Sequence, residues 1–583
     1  MRRLFATLLV YSCPNDPPAL WTKFEDVMSE DFLRCKTLIA SQVRTKVLDQ
    51  INGFLQSMGK TISSFNLYPY DFSMDDMESQ TRELNVERNI IVAVANLDAC
   101  IPLNQKQKEP FNVICEKVYN NKSGAFFIDG PGSTGKTFLY RALLADIRSK
   151  GHIVLTTATS GIAASILPGG RTAHLRFKIP IDISNGGTCR ISKQSSLTTL
   201  IRESKLIIWD EAPMCKRAAI EALDDLLKNI MNSNEIFGGK VVVFGGDFRQ
   251  TLLIVHSGTK AETVNACLIN SLLWPCLQKL QLTKNMRAKL DPLFTQILLK
   301  IGDGLEQADS GDSVVIPSSI LIKYTNEVDS LERLIDAVYP DINSISENAT
   351  LSLNRAILTT KNYFVDEIND LMIEKFPGES IEYISFDQTV DPNHQAEYVN
   401  FLNTLSPSGL PPHRLVLRPH EPIILLRNLD PTEGLCNGTR LICKSLTKNV
   451  IHAQIAVGHF TSKKVFIHRI PLQPTNDEQY LVPYKRTQFP VRLCFAMTIN
   501  KSQGQTLDFV GLYLKEPVFS HGQLYVALSH ARTSNAARVL IKPEYFSSND
   551  IDCTKNIVYR EIFDQSCYLS KSKYPTLLAA FFL

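Results

Sequence analysis

The spacing of apolar and polar positions changes character twice along the chain. Residues 1–100 carry amphipathic, mostly helical patterning, broken by loops around Pro14–Pro18 and Asn66–Ser73, and predict a helical N-terminal segment. Met1-Arg2-Arg3 followed by Leu4–Val10 loosely imitates a secretion signal. The apolar stretch is short and no small-x-small site follows, so it is read as the first helix. From about residue 101, short runs rich in Val, Ile, Leu or Phe alternate with helical stretches: Ala125–Asp129, Ile153–Thr157, Lys205–Trp209, Lys240–Phe244 and Lys279–Leu282. Continuous apolar runs of this length suit strands buried on both faces of a parallel sheet, and their alternation with helices is βαβ texture.

A polar break at Gly302–Ser319 precedes a second series, Ala356–Thr360 and Pro422–Leu426, which resumes with Arg492–Thr498, Phe509–Leu514 and Ala537–Lys542. Between its parts, Leu441–Arg486 alternates apolar with polar residues and predicts a small antiparallel β insert. The expected layout is a helical segment 1–100, a first α/β lobe 101–300, and a linker region 301–350. A second lobe over 351–440 and 488–560 follows, interrupted by the insert 441–487, with a C-terminal tail 561–583.

Composition narrows the class without naming it. A chain of 583 residues with 44% hydrophobic and 21% charged residues is ordinary for a soluble protein of two to four domains. No apolar run reaches the ~20 residues of a membrane-spanning helix, and no membrane partner is expected. Thirteen cysteines without a C-x-x-C pair argue against a zinc or redox site of that kind. The net charge is only +3, so any nucleic-acid path must be a local groove.

The chemistry begins at Gly130-Pro131-Gly132-Ser133-Thr134-Gly135-Lys136-Thr137, a G-x-x-x-x-G-K-[ST] loop. A predicted strand precedes it, and Leu139, Leu143 and Ile147 mark the helix after it. Glycines let backbone N–H groups curl around phosphates at a positive helix end. Lys136 supplies a point charge to them, and Thr137 a hydroxyl to Mg²⁺. Leu206–Trp209 then delivers Asp210 and Glu211, one acid for the metal and one to polarise an attacking water. Gln250, in Gly245-Gly246-Asp247-Phe248-Arg249-Gln250, is placed at a third strand end to sense the terminal phosphate. On these residues alone, a P-loop kinase or metabolic ATPase remains open.

Further segments carry a resemblance. Thr156–Ala164, Gly170–His174, Trp209–Met214, Gly246–Gln250, Leu425–Leu441 and Phe489–Ala527 together resemble the petite-integration-frequency helicases, superfamily 1 DNA helicases that travel 5′ to 3′. The last two segments look like the branch found in Helitron transposons. The resemblance implies two RecA-like P-loop lobes, a small β-hairpin insert near 178–195 and an SH3-like insert near 441–487. It implies a motor that uses ATP and Mg²⁺ on single-stranded DNA and duplex junctions, as a monomer in the nucleus, in repair, recombination, telomere maintenance or transposition.

By the same resemblance, Gln107 in Leu103–Gln107 reads adenine, and Arg287 reaches the terminal phosphate. Gln503 and Gly504 in Thr498–Thr506 meet the nucleotide, and Thr498, Asn500, Lys501 and Ser502 couple it to the strand. Thr159, His174 and Phe177 line the DNA path in the first lobe. The chain departs from the family in having Ser133 for a glycine, Leu253 for a proline, and His530 in Tyr525–His530 where an arginine is usual. Neutral imidazole cannot supply a forked permanent charge, and losing an arginine finger can cost about 10³-fold in turnover. Arg532 lies two residues on, roughly 200° around a helix. A catalytically weakened ATP- and DNA-binding protein is therefore the alternative expectation. No His-x-His pair occurs, so the nicking chemistry of replication-type transposases is not expected.

Overall fold

The computed structural model describes residues 1–12, 14–33, 40–57, 60–67, 84–85, 87–88, 90, 103–132, 134–180, 183, 187–189, 191–193, 195–253, 255, 258–284, 290–305, 312–342, 354–391, 395–407, 409–430, 433–456, 458, 460–474, 482–505, 507–543 and 552–565. The first series of apolar runs forms one sheet. Its strands are β1 (Gly124–Asp129), β2 (Ile153–Ala158), β3 (Arg171–Thr172), β4 (Ser204–Asp210), β5 (Val241–Gly246) and β6 (Gln278–Gln281). They stand in the order β3-β2-β4-β5-β1-β6, all parallel.

The apolar runs are continuous because both faces of this sheet are covered. One face packs Phe127, Leu155, Ile207, Trp209 and Phe244, and the other packs Ile128, Val154, Ile208 and Val243. The helix Lys136–Ser149 lays Leu139, Leu143 and Ile147, all fully buried, into the second of these cores. Each such side chain contributes roughly 2 kcal/mol on burial. The parallel arrangement brings the C-terminal ends of β1, β4 and β5 to one edge, where chemistry gathers in sheets of this kind.

The second series gives a five-stranded sheet, also parallel throughout. Its order is Ala496–Thr498, Arg355–Thr359, Phe509–Leu514, Ala537–Ile541 and Leu321–Ile322. Both parallel sheets belong to one compact unit made of residues 80–340, 354–367 and 496–583.

The other unit comprises residues 1–79, 341–353 and 368–495. Its N-terminal part is helical over Arg2–Thr7, Pro17–Leu33 and Ala40–Ser57, closed on a core of Phe5, Leu9, Trp21, Met28, Val47, Ile51 and Leu55. Its strands are antiparallel. Five strands run in the order Lys464–His468, Val450–Ile455, Arg440–Leu446, Pro422–Leu425 and Val491–Leu493. Phe386–Thr389, Tyr484–Gln488 and Ile470–Leu472 form a second, three-stranded antiparallel sheet.

Two readings of the pattern change here. Pro422–Leu425 is not in the second βα series: it is a central antiparallel strand, buried at all four positions. An apolar run signals burial on both faces and not the direction of its neighbours. For the same reason Arg492–Thr498 divides, Val491–Leu493 staying with the antiparallel sheet and Ala496–Thr498 joining the parallel one. The hairpin expected near 178–195 finds no strand among the described residues of that stretch.

Candidate functional site

The loop after β1 is shaped by local constraints that the sequence carries. Gly135 caps the helix Lys136–Ser149 with φ of 84°, a left-handed conformation that favours glycine. A Cβ there would also stand 2.4 Å from Nε2 of Gln107. Gln107 is buried and fully engaged. Its Oε1 accepts from the Asn104 amide at 3.1 Å, completing a capping box on the helix Gln105–Tyr119. Its Nε2 donates to the Thr134 carbonyl at 3.2 Å. The expected adenine-reading glutamine is thus also a brace for the loop. Thr134 Oγ1 donates to the Pro131 carbonyl at 2.9 Å, and the Lys136 ammonium donates to the Gly130 carbonyl. Ser133 lies outside the described residues.

Four carboxylates converge at the strand ends. Asp210 ends β4, and its Oδ1 accepts from the Glu211 amide at 3.0 Å. Glu211 itself sits at φ 56°, left-handed and unusual for a residue with a Cβ, at a cost on the order of 1–3 kcal/mol. Asp129 ends β1, and Asp247 follows β5. Burial pushes the carboxyls of Asp210 and Glu211 above their ordinary range, and Asp210 adds to the rise at Glu211 while Lys136 opposes both. Burial likewise raises Asp129 to about 7, with Arg249 opposing and Asp247 reinforcing. Packed acids beside one lysine make a site that would gain from added positive charge. Thr137 and Asp210 are the residues suited by chemistry to hold Mg²⁺ there.

The other lobe reaches this edge through two elements. The Gln503 side chain donates to Gln250 Oε1 at 3.5 Å, so two expected site residues from different lobes meet. Gly504, at φ 75°, approaches the helix Gly161–Ser165, and a Cβ on it would lie 3.5 Å from the Ala163 amide. The helix Gln523–Ser529 is seated on the loop after β5. His521 Nδ1 accepts from the Tyr559 amide at 2.8 Å, which leaves its Nε2–H to donate to the Phe248 carbonyl at 2.7 Å. A Cβ on Gly522 would strike the Arg249 carbonyl at 2.3 Å.

His530 is buried, with Nε2 2.8 Å from Ser502 Oγ. Arg532 pairs with Asp508 at 3.1 Å on the surface, and both side chains are about half exposed. Arg287 lies outside the described residues.

Several residues expected along the DNA path are committed to the protein's own interior. Phe177 is fully buried and stacks on Trp209, with ring centroids 6.4 Å apart, so its ring belongs to the core and cannot stack on a base. Thr159 Oγ1 donates to the Glu211 carbonyl at 2.7 Å and accepts from Trp209 Nε1 at 3.1 Å, which makes it a tie between strand ends. Ser502 is also fully buried, donating to Ile499 O and facing His530. His174, Thr498, Asn500 and Lys501 are half-buried. Burial lowers the His174 pKa. Asn500 Oδ1 accepts from Gln523 Nε2 at 3.2 Å.

Asp129, Arg249 and Tyr525 join this edge without a motif that assigns them to it. Arg249 is held between Asp303, at 2.7 Å, and Asp247, at 3.5 Å. Tyr525 donates to Asp247 Oδ2 at 3.0 Å and accepts from the Gly132 amide at 3.1 Å. Asp129 was legible as a strand-end acid abutting Gly130. The partners of Arg249 and Tyr525, up to 393 positions away, were not.

Comparison with known proteins finds helicases. Residues 102–311 match the profile of PIF1-like helicases, and residues 400–446 match that of the DNA helicase Pif1 2B domain. An ATP-dependent DNA helicase PIF1 of Danio rerio is 25% identical over 447 residues, 76% of this chain and 62% of its own. The chain therefore spans less than two thirds of that relative. An ATP-dependent DNA helicase Pif1 of Bdellovibrio bacteriovorus is 26% identical over 446 residues, 76% of this chain and 89% of its own. The Pif1 helicase from Bacteroides, solved with ADP-AlF3 and single-stranded DNA, shares the fold. Its TM-score is 0.56 at 23% identity, covering 81% of this chain and 98% of that one.

Proposed function

We propose that the chain is a PIF1-like, ATP-dependent DNA helicase that moves 5′ to 3′ on single-stranded DNA and opens duplex junctions, a reading supported by its matches to the PIF1-like helicase and Pif1 2B profiles. The observation that carries this reading is the convergence of the loop Gly130–Thr137, Asp210, Glu211 and Gln250 on one sheet edge, with Gln503 and Tyr525 of the other lobe closing onto it.

ATP is the substrate. Backbone amides of the loop and Lys136 bind its phosphates, with Ser133 as part of the loop, and Gln107 stands beside the loop at the base's side. Mg²⁺, held by Thr137 and Asp210, would supply charge against the phosphate oxygens. Glu211 takes the proton of the attacking water. Burial beside Asp210 raises its basicity towards that task. Gln250 orients that water or the terminal phosphate, Gln503 and Gly504 sense it from the other lobe, and Arg287 adds charge to it. The strand is held by His174, Thr498, Asn500 and Lys501, with backbone amides, because a motor must accept any sequence. Work on nuclear DNA, in repair, recombination or telomere maintenance, fits this activity, and so does a role in Helitron movement.

Lys136→Ala is the test. Turnover stimulated by single-stranded DNA should fall by roughly 10²–10³-fold and nucleotide affinity should drop with it. Unchanged values for both would remove the reading.

A second reading, a weakened ATPase that still binds nucleotide and DNA, is favoured by one pair of contacts. The family's usual arginine is replaced by His530, buried against Ser502, while Arg532 is turned to Asp508. His530→Arg assayed beside the parent chain decides it: a rise of tenfold or more in turnover supports weakening, and equal turnover rejects it.

A further inference from the structure

We infer that the Tyr525 hydroxyl is a positioning group through which the phosphate state of the nucleotide is passed to the strand-holding motif Thr498–Gln505, an inference that rests on the function proposed above.

The hydroxyl stands at a junction of three segments remote in sequence. It accepts from the Gly132 amide of the phosphate loop at 3.1 Å and donates to Asp247 Oδ2, behind β5, at 3.0 Å. Both directions are fixed by chemistry, since an amide only donates and a carboxylate only accepts. Asp247 is almost wholly buried and is anchored in turn by the Arg249 amide at 3.1 Å.

The surroundings are built for this ring. A Cβ on Gly302 would lie 2.8 Å from Tyr525 Cδ2 and 3.0 Å from Arg249 Cδ, so glycine leaves a slot through which the side chain passes. The ring is buried, and its helix starts against the backbone of Arg249 and Gln250.

The two ends of that helix touch the strand-holding motif. Gln523 Nε2 donates to Asn500 Oδ1 at 3.2 Å, and His530, directly after Ser529, lies 2.8 Å from Ser502 Oγ. Gly132 N–H belongs to the set of loop amides that cradle phosphate oxygens. A terminal phosphate oxygen and the Tyr525 hydroxyl therefore compete for one N–H. When phosphate takes it, the hydroxyl keeps only Asp247. The helix then loses this tie to the phosphate loop while keeping its ties to Asn500 and Ser502. A diphosphate, which lacks the terminal group, exerts less of this competition. Coupling of this kind is reciprocal: what the triphosphate does to strand affinity, the strand does to triphosphate affinity.

Tyr525→Phe keeps the ring in its slot and removes only the hydroxyl. The measurements are the affinities of the full chain for ADP and for a non-hydrolysable ATP analogue. Affinity for an oligothymidylate strand is then measured with each nucleotide bound. In the variant, ADP affinity should stay within about twofold. The analogue should bind a few-fold to tenfold tighter, the range a single neutral hydrogen bond is worth. The difference in strand affinity between the two nucleotide states should shrink by a similar factor. A role in stability alone would move the melting temperature and leave these ratios untouched.

Gly302→Ala, which crowds the ring without removing the hydroxyl, should shift the same ratios in the same direction and serves if Tyr525→Phe folds poorly. Ratios equal to those of the parent in both variants overturn the inference and leave the helicase reading standing. A parent chain that binds no nucleotide, or whose strand affinity ignores nucleotide, overturns both.

Discussion

The phosphate edge and the elements expected to grip DNA use their polar groups in opposite ways. At the phosphate edge Asp129, Asp210 and Asp247 are buried with Glu211 half-buried beside them, and desolvation raises the pKa of Asp129, Asp210 and Glu211. Such a cluster stores electrostatic cost that incoming positive charge relieves, as the proposed nucleotide chemistry requires. In the grip elements Thr159, Phe177 and Ser502 have already spent their hydrogen bonds or apolar surface on the protein itself. A motif residue can therefore be there to react or to hold a reacting neighbour in place, and the letters of a motif do not distinguish these. Thr159 is the clearest example: its hydroxyl fixes the carbonyl of Glu211, whose left-handed backbone aims the side chain.

Three measurements sharpen or break this contrast. The largest effect is expected from Glu211→Gln, which should lower turnover roughly 10²–10⁴-fold while nucleotide affinity is retained. A variant that hydrolyses ATP at the parent's rate would strip the phosphate edge of its assigned base.

Phe177→Ala comes next. Removing a fully buried ring should cost about 3–5 kcal/mol of stability, read as a lower denaturation midpoint. Phe177→Leu, which keeps most of the volume, should bind single-stranded DNA within twofold of the parent. A large loss of DNA affinity in a stably folded Phe177→Leu would return this residue to the grip.

The smallest effect concerns His521. Its ring is neutral, because Nδ1 accepts from Tyr559, and burial lowers its pKa to about 4. An unfolded histidine titrates near 6.5, so the folded form takes up its proton later as pH falls. The stability it contributes is complete above that unfolded value and drains away as pH drops towards 4. Between pH 7 and pH 5 the loss should be on the order of 2 kcal/mol. His521→Gln should show a correspondingly flatter dependence of melting temperature on pH. An unchanged slope would mean that other groups set the acid limit.

Local physics determined much of this protein from its letters. The apolar runs Ala125–Asp129 and Lys205–Trp209, the left-handed Gly135 at the start of the helix Lys136–Ser149 and the four-residue spacing of Leu139, Leu143 and Ile147 each depend on neighbours within a few positions, and each took the form expected. The acids Asp210 and Glu211 were legible for the same reason, since a strand end is a local event. What only the tertiary structure decided were pairings across long stretches of chain. Pro422–Leu425 could be buried in either kind of sheet, and its partners Arg440–Leu446 and Val491–Leu493 made it antiparallel. Phe177 reads as an aromatic beside a motif until Trp209 is found against it. Tyr525 acquires its meaning from Gly132 and Asp247, hundreds of residues away. Burial and hydrogen-bond saturation are properties of a packed neighbourhood, and that neighbourhood is assembled from segments whose meeting no local pattern encodes.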